Sequence, residues 1–291
     1  MLMPRSPAES MLFATLRLEV LRNDGSTNLG TGFLFEYRPK RAQNDQTLPL
    51  LVTNRHLIQD SSTGHFTWHL AEAKQNLVVP SGKFFTVKIE ALSKKFICHP
   101  DPRIDLCAMP YNLIRQAARA QGVNLFEAVF TEDLVLDSKE LDKLDAVEDV
   151  LLIGYPIGLQ DPLHNLPIVR RGITATHPGL DFDGQPIFLV DAACFPGSSG
   201  SPVVLANLGW YRDKHSGSLV VGSRLALLGV LFAGIQWEAS GKLERVPIPT
   251  NVEIQIKTGV MAHLGLVVKA QEILRLASYI EDLVQTGQYK L

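Results

Sequence analysis

The sequence has few of the features that mark disulfide-rich, membrane-spanning or exported proteins. It contains only three cysteines, Cys98, Cys107 and Cys194, too few for the framework of a disulfide-stapled domain. No apolar run approaches the roughly 18 residues that a membrane span needs, and the first residues lack the basic start and apolar core of a signal peptide. We therefore expect a cytoplasmic protein with reduced thiols, although Cys98 and Cys107 flank a short loop and could pair.

The chain also lacks an excess of charge of either sign. Its formal net charge is −2, and its basic residues form nothing longer than pairs such as Arg170-Arg171, which we interpret as a solvent-exposed strand end. This balance predicts no nucleic-acid partner, and we expect no membrane partner either. His99 lies beside Cys98 and Asp101, but a second pair of ligands is missing, so we expect no metal and no cofactor.

What the sequence does contain is a long series of short strand patterns. With 291 residues the chain is long enough for one large domain or two small ones. Short apolar runs separated by turn residues favour an all-β barrel or sandwich over alternating βα units. A short helix is predicted within 112–128, the structure of 131–149 stays open, and the tail 252–291 has a helical period. Its apolar stripe, Ile273, Leu274, Leu276, Ile280 and Leu283, predicts packing against the body rather than a partner.

A loop rich in Gly, Ser and Pro, residues 191–202, joins two apolar runs and is the first candidate for chemistry. Such a loop adopts unusual backbone conformations and can place a serine hydroxyl beside N–H donors for an oxyanion. A tight turn without function would explain the same composition. The interpretation therefore depends on a base and an orienting carboxylate elsewhere in the chain.

One histidine and one aspartate have suitable positions for these two roles. Histidine is the side chain whose pKa suits a base at neutral pH, and His56 follows a strand that we expect to be buried. Asp105 immediately precedes the apolar run 106–109, whereas the competing Asp101 is followed by proline and favours a turn. The order His56, Asp105, Ser199 is one of the known orders of a catalytic triad.

Six segments in this order make the sequence resemble the trypsin-like serine peptidases of chymotrypsin fold, in particular the protease domain of the bacterial high-temperature-requirement family. They cover about residues 28–251 and are Gly30–Leu34, Leu51–Ile58, Asp101–Ala108, Val150–Leu159, Val190–Pro202 and Val246–Asn251. The resemblance implies two antiparallel β-barrels side by side in a peptidase domain of residues 1–265. The first would span about 10–112 and the second about 146–251, with a short linking helix and a C-terminal helical extension, 252–291.

The resemblance also implies the residues of an active site between the barrels. His56 would act as general base and then acid, Asp105 would orient it, and Ser199 would be the nucleophile of a serine endopeptidase. The backbone N–H groups of Gly197 and Ser199 would form the oxyanion hole. The substrate would be a protein or peptide, cleaved through an acyl-enzyme intermediate.

A specificity pocket follows from the same resemblance. Ala193 and Cys194 would line its base, with Leu231, Phe232 and Ala233 as its wall. Because the base has no acidic residue, cleavage after Lys or Arg is disfavoured, and the wall has no histidine, unlike that of the glutamyl endopeptidases. We expect cleavage after small-to-medium apolar residues.

Departures from the family concern regulation. We expect the family's C-terminal peptide-binding domains to be missing, and Ser198 stands where digestive proteases carry an aspartate that pairs with a newly cut N-terminus. We expect neither regulation by such domains nor activation by N-terminal cleavage. Narrow specificity, a misordered oxyanion loop or a regulatory protein partner would have to restrain activity.

Two points stay open, the role of two segments and the alternatives to an endopeptidase. The segments 112–149 and 207–223 look like insertions of unassigned role. A catalytically silent peptide-binding module of the same fold and an esterase with the same triad are the two alternatives to an endopeptidase.

Overall fold

Two β units and a C-terminal helix form the body of the protein. The computed structural model describes residues 3–4, 6–40, 46–75, 77–242 and 255–289. The strands of the first unit are β1 Thr15–Arg22, β2 Thr27–Tyr37, β3 Leu48–Thr53, β4 Ser61–Lys74, β5 Leu77–Glu90, β6 Ile97–Cys98, β7 Cys107–Pro110 and β8 Phe130–Thr131. Those of the second are β9 Asp149–Gly154, β10 Ile168–Thr174, β11 Ile187–Asp191, β12 Pro202–Asn207, β13 Trp210–Arg212, β14 Leu219–Val221, β15 Arg224–Lys242 and β16 Gln255–Lys269. The helices are α1 Pro7–Ala14, α2 Arg55–Ile58, α3 Asn112–Ala120, α4 Ser138–Asp142 and α5 Gln271–Gln285.

The first unit is an eight-stranded sheet in the order β5-β4-β1-β2-β3-β7-β6, with β8 added parallel to β2. Alternation within the strands separates its two faces. In β1, for example, Leu16, Leu18 and Val20 are buried and belong to one apolar cluster. Phe66 and Trp68 of β4 join the same cluster, as expected for side chains two residues apart on a pleated strand.

The second unit is a closed six-stranded barrel in the order β10-β11-β16-β15-β12-β9. Its interior is filled by apolar side chains from each half of the ring, including Leu152, Phe188, Val203 and Val267. β13 and β14 form a separate two-stranded ribbon within the predicted insertion 207–223. The predicted all-β class is confirmed, and so is the linking helix, which is α3.

The C-terminal boundary predicted from the sequence is wrong. Residues 255–269 form the barrel strand β16, so the helix begins only at Gln271 and the barrel extends beyond residue 251. Consecutive residues of β16 are buried on opposite faces, since Val267 belongs to the barrel interior and Val268 to a neighbouring cluster. A strand buried on both sides has a continuous apolar run, which periodicity does not separate from a buried helix. The segment Val246–Asn251, proposed as a closing strand, lies outside the described residues.

A central apolar cluster joins both units to α5. It combines residues of the first sheet such as Phe35 and Leu106, barrel residues such as Val204, and the helix residues Ile273 and Ile280. The predicted packing of the C-terminal helix against the body is therefore confirmed. No helix in the described ranges has the length and apolar character needed to cross a membrane.

Candidate active site

The pairing of β3 with β7 brings His56 next to Asp105. The two strands are antiparallel, with Thr53 opposite Cys107. His56 therefore follows the end of β3 at the same edge where Asp105 precedes the start of β7. The short helix α2 begins directly after β3 and carries His56 on its first turn.

Two hydrogen bonds connect His56 to the Asp105 carboxylate. The backbone N–H of His56 donates to Oδ1 over 3.0 Å, and imidazole Nδ1 lies 2.5 Å from Oδ2. The Asn54 side chain, which is fully buried, donates to the Asp105 carbonyl over 2.8 Å and holds the same segment. A carboxylate at Nδ1 fixes the ring orientation and leaves Nε2 as the acceptor, which is what a general base requires. The imidazole is 44% exposed, and the Asp105 side chain 17%.

The competing carboxylate, Asp101, takes no part in this contact. Its two oxygens bind the Arg103 guanidinium at distances down to 2.7 Å, and it accepts the Arg103 backbone N–H as well. The hydrogen bonds from Arg103 lower the pKa of Asp101 to about 2. Of the two aspartates weighed from the sequence, the structure brings Asp105 to His56 and turns Asp101 towards Arg103.

The loop that carries Ser199 depends on two glycines with left-handed backbone. Gly197 has φ +87° and Gly200 has φ +84°, a region that side chains with a Cβ rarely adopt. Both also approach other backbone closely. A Cβ on Gly197 would lie 2.6 Å from the Tyr155 carbonyl oxygen, and one on Gly200 would lie 1.9 Å from that of Thr31. The loop therefore packs closely against the backbone of both β units.

Thr31 of β2 ties this loop to the strand that leads to His56. Its N–H donates to the Ser199 carbonyl over 2.9 Å, and its hydroxyl donates to the Gly197 carbonyl over 3.0 Å. Its own carbonyl accepts the Thr53 hydroxyl over 2.7 Å, and its hydroxyl accepts the Tyr155 N–H over 3.1 Å. The sequence analysis includes Thr31 only within the segment Gly30–Leu34 and did not predict this role. The flanking glycines, Gly30 and Gly32, were the available signal of close packing.

The backbone donors of the loop divide into two groups. The N–H groups of Ser198, Gly200 and Ser201 donate to carbonyls inside the protein, at 2.8–3.0 Å. In the described part of the chain, the N–H groups of Gly197 and Ser199 have no acceptor. These are the two donors that the family resemblance implies for an oxyanion hole. The same part of the chain has no hydrogen bond between the Ser199 hydroxyl and the His56 imidazole, although Ser199 is partly exposed.

The residues predicted to line the specificity pocket do not all lie together. Cys194 and Leu231 belong to the barrel cluster, and both would contact a Cβ added to Gly265, at 2.6 Å each. Phe232 packs instead against the central cluster, because successive residues of β15 face opposite sides. Ala193 and Ala233 are partly buried.

The three cysteine thiols differ in their environment, since Cys98 is exposed while Cys107 and Cys194 are buried. Burial raises the pKa of Cys194 to about 11, so this thiol stays protonated and is a poor nucleophile. Cys98 and Cys107 are free thiols that face each other across β6 and β7. The described residues contain no group of three or more His, Cys, Asp or Glu side chains able to hold a metal ion.

The fold and the site define a class of protein: a chymotrypsin-type arrangement of two β units with candidate catalytic groups at their junction. Residues 30–209 match the trypsin-like peptidase domain family, and the chain belongs to this family. No curated protein sequence matches the chain.

Solved structures are similar to the chain at low sequence identity. The HtrA-type protease AlgW with a tripeptide is 14% identical, with a TM-score of 0.50 over 96% of this chain and 63% of that protein. A serine endoprotease from Yersinia pestis is 14% identical, with a TM-score of 0.47 over 98% of this chain and 68% of that protein. The chain thus spans under two thirds of the length of AlgW.

Proposed function

We propose that the protein is a serine endopeptidase that hydrolyses protein or peptide substrates through an acyl-enzyme intermediate. The observation that carries this proposal is a pair of N–H donors, Gly197 and Ser199, that have no acceptor among the described residues and lie on a loop joined through Thr31 to the strand leading to His56. A peptide-binding module would not need two backbone donors kept for an oxyanion. Family membership supports the reaction class.

The mechanism assigns one role to each group. His56 Nε2 accepts the proton of the Ser199 hydroxyl as that oxygen attacks the substrate carbonyl, and His56 then delivers the proton to the leaving amine. Asp105 holds the imidazole through Nδ1 and stabilises its charged form. The N–H groups of Gly197 and Ser199 donate to the oxyanion, and each such donor is worth on the order of 3 kcal/mol. We expect the Ser199–His56 hydrogen bond to form when substrate is bound, as is common for catalytic contacts.

We propose small-to-medium apolar residues before the scissile bond. Leu231 and the protonated Cys194 thiol support this preference, because both are apolar surfaces near Gly265. Profiling with a peptide library tests it, with Ser199→Ala as the inactive control. Dominant cleavage after basic or acidic residues would contradict the proposed preference while leaving the peptidase activity intact.

The esterase alternative is tested with matched ester and amide substrates of one peptide sequence. An endopeptidase hydrolyses both, and Ser199→Ala loses both activities. Hydrolysis of the ester alone would favour the esterase, and hydrolysis of neither would favour a catalytically silent module.

We also propose that the protein acts in the cytoplasm and that its substrate is a cellular protein. Fractionation of the source cells tests the location, and recovery of the protein outside the cytoplasmic fraction would contradict it. Comparison of new protein termini between cells with wild type and cells with Ser199→Ala would identify the substrate. A separate pull-down from these cells, with the protein as bait, would reveal a regulatory partner.

A further inference from the structure

Arg170 of β10 is turned towards the loop that carries Ser199. Its Nη2 donates to the Ser198 hydroxyl over 2.6 Å, and Ser198 is only 1% exposed. Its guanidinium also lies over the Phe195 ring, with Cζ 5.4 Å from the ring centroid. The next residue, Arg171, faces the opposite side of the strand and is paired with Asp149 at the surface. The interpretation of both arginines as a solvent-exposed strand end is therefore correct only for Arg171.

The environment of Arg170 is unusual for a cation. Its Nε and Nη1 are buried without a hydrogen-bond partner, and among the described residues no carboxylate forms an ion pair with it. Burial lowers the pKa of its guanidinium below the ordinary value of arginine. Burying an arginine in this way costs free energy. A neutral side chain at position 170 would avoid that cost.

The two contacts of Arg170 fall on the two ends of one tight turn. Residues 195–198 are closed by a hydrogen bond of 3.0 Å from the Ser198 N–H to the Phe195 carbonyl. Arg170 contacts the side chain at each end of this turn. Gly197 lies inside the turn, and its N–H has no acceptor among the described residues. The Ser198 carbonyl then accepts the Ser201 N–H over 3.0 Å, which fixes the path through Ser199.

We propose that Arg170 is a positioning residue that holds the 195–198 turn so that the N–H groups of Gly197 and Ser199 point at one substrate oxygen. This inference rests on the proposed peptidase function. Cation–π contact with Phe195 and a charge-assisted hydrogen bond to Ser198 act together, so removal of the guanidinium releases both ends of the turn. Catalysis then loses donors that are needed mainly in the transition state.

The test compares Arg170→Met with Arg171→Met, which removes the neighbouring guanidinium from the opposite face. We expect kcat on a peptide substrate to fall about 100-fold in Arg170→Met, as for loss of an oxyanion donor, with KM changed less than threefold. Arg171→Met should stay within twofold of wild type, because exposed ion pairs contribute little. Affinity for a peptide boronate, whose adduct occupies the oxyanion hole, should fall in parallel with kcat.

Two further variants separate positioning from a purely structural role. Arg170→Lys keeps a cation that can reach Ser198 but lacks the planar stack on Phe195, so it should recover part of kcat. Ser198→Ala removes the acceptor and should lower kcat about 10-fold. If Arg170→Met fails to fold, the kcat values of Arg170→Lys and Ser198→Ala still test whether Arg170 positions the turn.

Three results would overturn the proposal. One is a kcat and a boronate affinity equal to those of wild type in Arg170→Met. If that variant does not fold, the same result in both Arg170→Lys and Ser198→Ala has the same meaning. Another is a loss confined to substrates with an acidic residue before the scissile bond, which would assign Arg170 to substrate recognition. A third is a rise in KM, meaning weaker substrate binding, without a fall in kcat. Absence of any hydrolysis by wild type would instead contradict the proposed function itself.

Discussion

Glu272, on the first turn of the C-terminal helix, lies 3.3 Å from Nε2 of His99 at the start of the segment that leads to Asp105. Both side chains are 3% exposed. The Nδ1 of His99 lies 3.1 Å from the Asp101 backbone nitrogen and 3.3 Å from the Asp101 carbonyl oxygen, so the other side of the ring is held by the chain that leads to Asp105. The distance between His99 Nε2 and the Glu272 carboxylate is that of an ion pair, but the two groups are not aligned for a hydrogen bond. The last helix is thereby joined to the loop that orients the proposed base.

Removal of Glu272 should destabilise the protein. Breaking a buried pair by deleting one partner typically costs 3–5 kcal/mol, and we expect Glu272→Ala to lower the free energy of unfolding by about 3 kcal/mol. Arg275→Ala is the control, because Arg275 contacts the same carboxylate but is 70% exposed, so its loss should cost under about 1 kcal/mol. Urea denaturation measures both. Equal effects of the two variants would show that the His99 contact contributes little.

Gly200→Ala should disrupt the loop far more than Gly209→Ala. Both glycines have left-handed backbone, with φ +84° and +93°, so both substitutions cost about 1 kcal/mol for that conformation. Only the new Cβ at 200 would also meet backbone, 1.9 Å from the Thr31 carbonyl oxygen, whereas nothing lies within 4 Å of one at 209. We expect Gly209→Ala to remain active and Gly200→Ala to lose activity and more than about 3 kcal/mol of stability. Similar melting temperatures would contradict this.

Thr31→Val should damage the link between the two β units. The substitution preserves shape but leaves the Gly197 carbonyl and the Tyr155 N–H without their partner. Each unpaired buried group costs about 1–3 kcal/mol, so we expect a loss of about 3 kcal/mol in unfolding free energy and a lower kcat. Thr31→Ser keeps the hydroxyl and should lose only about 1 kcal/mol. If serine and valine behave alike, the hydroxyl does not hold the loop.

Stability should fall in acid because of His69. This side chain is buried between Phe13 and Phe84, and burial lowers its pKa from 6.5 to about 4. A depressed pKa means that the unfolded chain binds the proton first, so stability is full above pH 6.5 and is lost as the pH falls towards 4. Between pH 7.5 and pH 5 we expect a loss of about 2 kcal/mol from this group. His69→Gln should show a correspondingly smaller difference between these two pH values, and an identical difference would contradict the assignment.

His56 and Asp105 could each be selected from a local pattern, and the family resemblance implied that they belong to one site. Each residue stands at the end of a short apolar run, and the antiparallel pairing of those runs places both at one edge. The loop around Ser199 was predictable for the same reason, since Gly197 and Gly200 stand where the backbone needs a left-handed conformation.

The features that the sequence did not predict depend on which face of a strand meets which distant element. Arg170 and Arg171 are adjacent and identical, and only the inward direction of the first distinguishes them. The Glu272–His99 contact joins positions remote in sequence, so no local pattern indicates it. The end of strand β16 resembled a helix because Val267 and Val268 are buried on opposite faces, and the strand is defined by its partners β11 and β15.

Reaction with a fluorophosphonate probe, followed by mass spectrometry of the labelled peptide, tests the central assignment most directly. The account predicts one adduct on Ser199, its loss in Ser199→Ala, strong slowing in His56→Ala, and retained labelling in Ser201→Ala, whose buried hydroxyl has no assigned role. An adduct on Ser198 or Ser201, or labelling of the wild type that persists in Ser199→Ala, would contradict Ser199 as the nucleophile.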